Sequence, residues 1–244
     1  MAVRPNPNKI AAEIRAVLKS RGSPEHAKGV QWFFKEEVKS HGWYTAPLRA
    51  FARQRRREIL QTQDVEFLVQ VADHLFTGRV LEEKIFAVLM LENLTGKLDG
   101  RYFLVFESWL DRISSWAEHD ALVHYLIAPM IAADSKLLPR IFEWARSEDR
   151  WHRRAACVAL IQGTRQNQFF RQIVRLCNLL LCDDDDMVQK GLGWLLRETA
   201  KRNPARTVGY LLKIRSRTPR LVLRTACETL SLAQRKLILA KTIQ

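Results

Sequence analysis

The sequence predicts an all-α protein on three observations. Apolar residues recur three or four positions apart through most of the chain, as in Val65, Leu68, Val69 and Ala72. No segment shows the period-2 alternation of a half-buried strand. Only ten glycines and eight prolines occur in 244 residues, mostly at the borders of the periodic segments. We therefore expect helices of about 12 to 18 residues joined by short turns.

Capping signals divide the chain into about twelve to fourteen helices. Asn8 precedes the first helix, Ser23-Pro24 opens the second, and Pro47 opens an arginine-rich one. Four aspartates at 183–186 precede a helix predicted over 187–201, because acidic side chains favour a helix N-terminus. This run is interpreted as a helix cap rather than a metal site. Helix ends are expected at Gly22, Gly42, Gly78, Gly100 and Asn203-Pro204.

Helix pairs recur about every 35 to 45 residues, which suggests a curved α-solenoid of HEAT-like repeats. No linker on the scale of a domain boundary interrupts the chain, so residues 1–244 are expected to form a single domain. Internal identity between the pairs is too weak to align, and an irregular helical bundle is the alternative. A solenoid would offer a concave face that can be lined with Arg and Lys.

The charge is strongly positive and unevenly distributed. Forty Lys and Arg residues against 26 acidic residues give a formal net charge of +14. The stretch 190–244 holds most of this excess, since Glu198 and Glu228 are its only acids. A charge of this size attracts polyanions such as DNA, RNA or an anionic membrane surface. A merely solubilising surface is the alternative. A second basic cluster is formed by Arg49, Arg53, Arg55, Arg56 and Arg57.

Several classes of site are disfavoured by the sequence. The four cysteines form no CxxC pair and no zinc-ligand spacing, so we expect reduced thiols that pack in the core, as in a cytoplasmic protein. The start, MAVRPNPNK, lacks an apolar leader, and no run approaches the roughly 18 apolar residues of a membrane span. The chain also lacks the glycine-rich phosphate loop, GxSxG, HExxH and EF-hand patterns.

Three local features remain as candidates for chemistry. Trp116 and Asp120 are four residues apart, which puts both on one face of a helix. A second segment reads Trp-His-Arg-Arg-Ala-Ala over 151–156. The third, over 188–204, places Gly191 and Gly193 inside a helical pattern, at a cost of roughly 1 kcal/mol each relative to Ala. That cost suggests close packing or the close approach of a ligand.

The third segment is similar to the signature helix of the AlkD-type alkylpurine DNA glycosylases, a HEAT-like repeat family. The family pattern reads approximately QKAxGWxLRExxKxNP, and Gly191 stands where it has Ala. The spacing of the other two features also agrees, so the family's functional Trp, Asp, Arg and second Trp fall on Trp116, Asp120, Arg154 and Trp194. Residues 42–47 resemble the family's G-x-x-T-P loop. The resemblance spans roughly residues 25 to 225.

Two departures from the family pattern concern substrate range. The family often has a Trp-Trp-Asp triplet where this chain has Ser115-Trp116-Ala117. Ala46 also precedes the proline of the 42–47 loop. Neither departure falls on one of the four matched positions.

The resemblance implies a DNA glycosylase of base excision repair. We expect it to need no cofactor or metal, because the sequence has no metal-ligand cluster, and to be monofunctional, because no lysine shows a sign of Schiff-base chemistry. It would hydrolyse the N-glycosidic bond of cationic purines such as N3-methyladenine and N7-methylguanine, without a deep base-flipping pocket. Asp120 would stabilise the sugar cation, Trp116 and Trp194 would offer π faces, and Arg154 would hold a backbone phosphate. His119 and His152 are expected to be surface or supporting groups. Further DNA contacts are expected from Arg153, Lys190, Arg197 and Tyr44.

The expected partner is double-stranded DNA with alkylated bases. The protein is expected to be a monomer that does not bind membranes and that lies in a bacterial-type cytoplasm, with the nucleoid when bound to DNA. A non-catalytic HEAT-repeat protein that binds damaged or branched DNA is the first alternative. A protein–protein scaffold is the second, and the basic stretch at 190–244 counts against it.

Overall fold

A computed structural model describes residues 6–240 of the chain and confirms the all-α class. The structure is 74% helical and contains no β-strand in that range, apart from one isolated bridge between Lys39 and Val80. The first five residues of the expected leader-free start lie outside the described residues, as does Lys241 of the basic stretch. Within residues 6–240 no single helix is long and apolar enough to cross a membrane. Two consecutive helical segments, Trp116–Ala133 and Ser135–Trp144, reach the length and apolar composition of a membrane span only when taken together, and they are bent by 111° where they meet.

The chain folds as two compact units, Met1–Leu126 and Ile127–Gln244. Sixteen α-helical segments occur in the described range, and the fourteen longer ones match the upper end of the predicted number. The helices of the first unit are α1 (Pro7–Ser20), α2 (Pro24–Val30), α3 (Thr45–Leu60), α4 (Val65–Phe76), α5 (Leu81–Leu91), α6 (Gly100–Ser108) and α7 (Trp116–Leu122).

Short turns extend these helices. A π-helical turn, Val123–Ile127, follows α7 directly. Single 3₁₀ turns lie at Gln31–Phe33, Thr95–Lys97, Leu110–Arg112 and Ser135–Leu137.

The helices of the second unit are α8 (Ala128–Ala133), α9 (Leu138–Trp144), α10 (Arg150–Val158), α11 (Ile161–Thr164), α12 (Phe170–Leu180), α13 (Asp186–Arg202), α14 (Pro204–Ile214), α15 (Arg220–Ala226) and α16 (Leu232–Leu239).

Capping explains where the helices begin, and it corrects three predicted borders. The helix end expected at Gly42 is also wrong, because the preceding 3₁₀ turn ends at Phe33 and Gly42 lies in the loop before α3. The first helix starts at Pro7 with Asn6 as its cap, not after Asn8, because proline is well suited to the first helical position. The arginine-rich helix begins at Thr45, so Pro47 lies within its first turn. Gly100 starts a helix instead of ending one, since the Asp99 carboxylate accepts the N–H of Arg101. The predicted start at Ser23-Pro24 is confirmed.

The core of the first unit is built around α5, which packs against α3, α4 and α7. Helix α5 is buried on nearly all sides: residues 85–91 are all apolar, and Glu82, Glu83 and Lys84 in its first turn are buried as well. Phe76 of α4 stacks on Trp109 with ring centroids 4.3 Å apart, and both rings are inaccessible to solvent. The Trp109 indole N–H donates to Asp73 Oδ1 at 2.7 Å, which satisfies its one polar group.

The core of the second unit is built around α13, which packs against α10 and α15. Cys157 and Cys177 are buried there as free thiols, in line with the prediction, and Cys227 is buried as well. Burial raises the pKa of the Cys177 thiol to about 12, so it stays protonated. Cys182 is exposed, and the prediction that every cysteine packs in the core is wrong there, because it lies in the turn after α12.

Candidate functional site

Trp116 and Asp120 lie on the same short helix, α7, as their spacing predicts. Residues four apart on a helix differ by about 40° in direction, so both project from one face. The Trp116 indole N–H donates to the carbonyl of Phe33 at 3.3 Å. Its ring stacks on Phe34 with centroids 5.2 Å apart. These two contacts hold the half-buried Trp116 ring in a set orientation.

Asp120 is partly accessible and is held by its neighbour in sequence. Its side chain is 21% exposed, whereas the His119 side chain is 0% exposed. His119 Nδ1 lies 2.7 Å from Asp120 Oδ1. His119 is thus buried, so the expectation of a surface group is wrong, and a supporting role for it stays a prediction.

A buried ion pair anchors α7 from its other side. Lys84 Nζ of α5 lies 3.0 Å from Glu118 Oε2, and both side chains are at most 5% exposed. Lys84 also donates to the carbonyl of Arg112 at 2.6 Å, and the backbone N–H of Ser114 donates to Glu118 at 2.9 Å. Glu118 precedes Asp120 by two residues, about 200° around the helix, so the pair fixes α7 from the side away from Asp120.

The loop before α3 is organised by one buried carboxylate. Glu82 accepts the backbone N–H groups of His41 and Gly42 at 2.8 and 2.9 Å, and it is 3% exposed. Gly42 has φ +79°, and a Cβ there would lie 2.0 Å from the carbonyl oxygen of Ser23. Only glycine therefore fits the position where the sequence shows its glycine-led loop. Tyr44 follows, 61% exposed, and stacks on His26 with ring centroids 4.0 Å apart.

Arg154 lies between α10 and α13, where it is 5% exposed. Its NH1 donates to the carbonyl of Met187 at 2.6 Å. A Cβ at Gly191 would lie 3.2 Å from Arg154 Cγ, so the glycine makes room for the arginine stem. Close packing, one of the two explanations offered for the helical glycines, is confirmed at Gly191. A phosphate contact by this guanidinium stays a prediction.

Arg153 is engaged within the protein on several sides. Its Nε lies 2.7 Å from Asp183 Oδ2, and NH1 donates to the carbonyls of Ser147 and Glu148 at 3.0 and 2.7 Å. The hydrogen bond with Asp183 raises the pKa of the Arg153 guanidinium above its ordinary value, against a smaller lowering by burial. Arg153 therefore links the start of α10 to the loop before α13, and its predicted DNA contact is untested.

The aspartate run begins α13, as the helix-cap interpretation predicts. Asp185 accepts the backbone N–H groups of Met187 and Val188 at 2.8 and 3.2 Å. Asp186 pairs with Lys190 across one turn at 3.2 Å. Within residues 6–240, no group of three or more His, Cys, Asp or Glu side chains could hold a metal ion.

Helix α13 carries the remaining predicted residues on its surface. Trp194 is half-buried. Lys190 keeps 43% of its side chain exposed, whereas Arg197 keeps 27% and pairs with both Glu198 and Glu228. Lys190 is thus the most accessible of the four basic residues expected to contact DNA.

The match to known proteins decides the family. The model of a family described as DNA alkylation repair enzyme matches residues 14–230. The chain belongs to this family of DNA alkylation repair enzymes. No curated protein matches it in sequence.

Three solved structures are similar to this family member. A predicted DNA alkylation repair enzyme from Enterococcus faecalis is 19% identical with a TM-score of 0.77, over 86% of this chain and 97% of that one. The protein AlkD2 from Streptococcus mutans is 18% identical with a TM-score of 0.62, over 92% and 99%. A second S. mutans protein, smu.31, is 22% identical with a TM-score of 0.58, over 76% and 97%. Identities this low show the shared fold.

Sequence patterns missed the residues that support Trp116. Phe33 and Phe34 follow a short helix and show no period that marks them out, although the aromatic run 32–34 is itself a signal. Trp32 is 90% exposed and Phe33 is 74% exposed. Two large aromatic side chains therefore lie in solvent beside the backbone carbonyl that accepts the Trp116 indole N–H.

The arginine cluster of α3 is divided between internal and outward-facing side chains. Arg49 pairs with Glu92 at 2.6 Å and donates to the Tyr125 hydroxyl at 2.6 Å. Arg56 donates to the Glu92 carbonyl at 2.5 Å. Arg53 and Arg57, one helical turn apart, are exposed. Only part of the cluster thus faces solvent as free positive surface.

Proposed function

We propose that this family member is a monofunctional DNA glycosylase that removes cationic alkylated purines, such as N3-methyladenine and N7-methylguanine, from double-stranded DNA. The proposal depends mainly on one observation: the partly exposed carboxylate of Asp120 and the fixed indole of Trp116 lie on the same face of α7. Membership of the alkylation repair family supports DNA as the substrate. The product is a free base and an abasic site, which enters base excision repair.

The leaving purine needs no activation in this reaction, whereas the cation that forms on the sugar needs to be stabilised. An alkylated purine of this kind already carries positive charge, so it leaves without being protonated. The C1′–N bond breaks, its electron pair neutralises the purine, and C1′ becomes cationic. Water adds to C1′ and gives up a proton through the Asp120 carboxylate to solvent. A preorganised carboxylate beside a developing cation lowers the barrier electrostatically.

The tryptophans are proposed to stabilise the cation by a smaller amount than the carboxylate does. A cation near an indole face gains about 0.5 to 2 kcal/mol. Trp116 is held by Phe33 and Phe34. The resemblance assigns the same role to Trp194, which lies on α13. Lesion recognition on an open surface, without a deep base-flipping pocket, is part of this proposal.

Binding to DNA is proposed to rest on contacts with the phosphate backbone. Arg154, Arg153, Lys190, Arg197 and Tyr44 are the proposed contacts from the resemblance. Exposed basic residues of the second unit add to them: Arg202, Arg206, Lys213, Arg217, Arg220 and Arg224. Phosphate contacts release counterions, so affinity should fall steeply with salt. We further propose that the protein acts as a monomer.

The decisive experiment compares wild type with Asp120→Asn on duplex DNA containing N7-methylguanine. Base release should fall by about 10² or more, the cost of one preorganised electrostatic group. DNA affinity should hold, because losing a negative charge does not weaken attraction to phosphate. Asp111→Asn is the matched control, since Asp111 is an exposed aspartate of the same unit that lies on a 3₁₀ turn outside α7; it should keep wild-type base release.

Four results would contradict parts of the glycosylase proposal. Full base release by Asp120→Asn would remove the proposed role of the carboxylate. Loss of activity in EDTA would show a metal, and trapping of a protein–DNA adduct by borohydride would show a Schiff base. Tight DNA binding by a wild type that releases no base would favour the non-catalytic alternative. Trp194→Ala should slow base release by less than about thirtyfold, the limit of a cation–π contact.

A further inference from the structure

The residue next to Asp120 is a histidine that solvent does not reach. His119 is 0% exposed, and its Nδ1 lies 2.7 Å from Asp120 Oδ1. Neighbouring residues on a helix point about 100° apart and do not normally face each other. The contact therefore requires both side chains to lean toward one another. It occurs near the end of α7, just before the π-helical turn Val123–Ile127, and such turns are frequent at functional sites.

The chemistry of the two groups sets the direction of the hydrogen bond. An ionised carboxylate has no proton to give and can only accept. Nδ1 of His119 must therefore carry the proton and donate it to Asp120 Oδ1. The backbone of the donor residue is fixed in α7, because the His119 backbone N–H donates to the Ser115 carbonyl at 3.1 Å. The adjacent Glu118 is fixed by Lys84.

We infer that His119 is a positioning residue that fixes the carboxylate of Asp120 before DNA binds. The inference rests on the proposed glycosylase function. The terminal torsion angle of an aspartate, χ2, has a broad distribution of values, so a carboxylate without a hydrogen-bond donor samples many orientations. A buried donor on one oxygen narrows that range and keeps the charge where the sugar cation develops. Electrostatic stabilisation is strongest when the group needs no reorganisation during the reaction.

A second interpretation of the same contact is that His119 only fills the core and satisfies its own ring nitrogen. The two interpretations differ in one respect. A filler acts on stability whatever occupies position 120, whereas a positioning residue acts on the reaction only through the Asp120 carboxylate. Kinetics in the presence and absence of that carboxylate therefore separate them.

Three substitutions test the donor at the position of Nδ1. His119→Asn keeps a nitrogen bonded to Cγ, as Nδ1 is, and can still donate to Asp120. His119→Gln carries the same amide one carbon farther out and displaces the donor. His119→Leu removes the donor and keeps an apolar side chain. Each is measured by single-turnover release of 7-methylguanine from duplex DNA, by DNA affinity in fluorescence anisotropy, and by thermal unfolding.

Base release should slow by roughly tenfold to hundredfold in His119→Leu and His119→Gln. The upper limit is the effect that a 1 Å misplacement of a catalytic group can have. His119→Asn should stay within about threefold of wild type, and DNA affinity should not change in any of the three. When Asp120→Asn is already present, His119→Leu should slow the reaction no further. The Asn and Gln variants carry the same amide, so a difference between them is not explained by burial of a polar group.

The outcomes separate the inference from the function on which it rests. If wild type releases no base, the proposed function fails and the positioning role fails with it. If wild type is active and Asp120→Asn is slow, but His119→Gln matches His119→Asn, only the positioning role is overturned. It is also overturned if His119→Leu slows the Asp120→Asn variant as much as it slows wild type. Should His119→Leu unfold, the Asn and Gln pair decides the question alone.

Discussion

Helices α7 and α13 each present a predicted functional tryptophan, and they are held in place by opposite means. Helix α7 has only seven residues and is fixed by charge, through the buried pair of Lys84 and Glu118. Helix α13 has 17 residues and is fixed by shape, through glycines that bring its backbone close to α10 and α15. An isolated helix this short is marginal in water, so α7 depends on its tertiary contacts. The buried ion pair is a directional contact of that kind.

The comparison predicts different responses to substitution in the two helices. Charge fixation fails when one partner is removed, since the other charge is then buried without compensation. Shape fixation fails when an atom is added, because a packed interface has no space to accept it.

The largest effect is expected from Lys84→Met in the first unit. It leaves Glu118 buried without its cation and should lower the free energy of unfolding by about 3 to 5 kcal/mol. The measurement is urea denaturation followed by far-UV circular dichroism. Lys84→Met combined with Glu118→Leu should recover much of the loss. Arg101→Met, which breaks an exposed pair with Asp99, is the control and should leave stability unchanged. A small loss in Lys84→Met would show that packing, not charge, fixes α7.

The second effect is expected from Gly193→Ala in α13. The added Cβ would lie 2.7 Å from Thr225 Cβ and 3.2 Å from the Val222 carbonyl oxygen, so α15 must shift. We expect a loss of about 1 to 3 kcal/mol in the free energy of unfolding. Gly209→Ala is the matched control, because a Cβ there meets nothing within 4 Å. It should raise helix stability by up to about 1 kcal/mol. Equal results for the two would argue against fixation by close packing.

The third effect concerns the two N-caps. Asp185 accepts two backbone N–H groups of α13, whereas Ser115 accepts one N–H of α7 at 3.5 Å. Asp185→Ala should therefore cost about 1 kcal/mol, and Ser115→Ala should cost less. Denaturant midpoints of the two variants test the order. A greater loss in Ser115→Ala would mean that α7 depends on its cap more than on its ion pair.

The smallest effect is expected from Gly191→Ala. The added Cβ would lie 3.2 Å from Arg154 Cγ, so the arginine side chain must yield by only a few tenths of an ångström. The gain in helix propensity, up to about 1 kcal/mol, offsets this strain, so the net change should be close to zero. Thermal unfolding beside Gly193→Ala gives the comparison. A loss as large as at Gly193 would show that the Arg154 side chain is rigidly held.

Sequence patterns predicted the helical residues of the site better than the supports around them. Trp116 and Asp120 could be placed on one helix face because their spacing matches the helical period. The aspartate cap of α13 could be recognised because it lies within one turn of its helix. Their partners could not be recognised in this way. Lys84 is 34 residues from Glu118 in the chain, and Phe33 is 83 residues from Trp116. No local period connects residues at such separations.

The sequence by itself determined the all-α class, the family and the side chains available for chemistry. These follow from local periodicity, composition and a motif that lies within one helix. Only the tertiary structure decided that His119 is buried against Asp120, that Arg154 is covered by α13, and that Cys182 is exposed. Burial and side-chain partners arise from contacts between segments distant in the chain, and their energies depend on exclusion of water, which no single segment achieves alone.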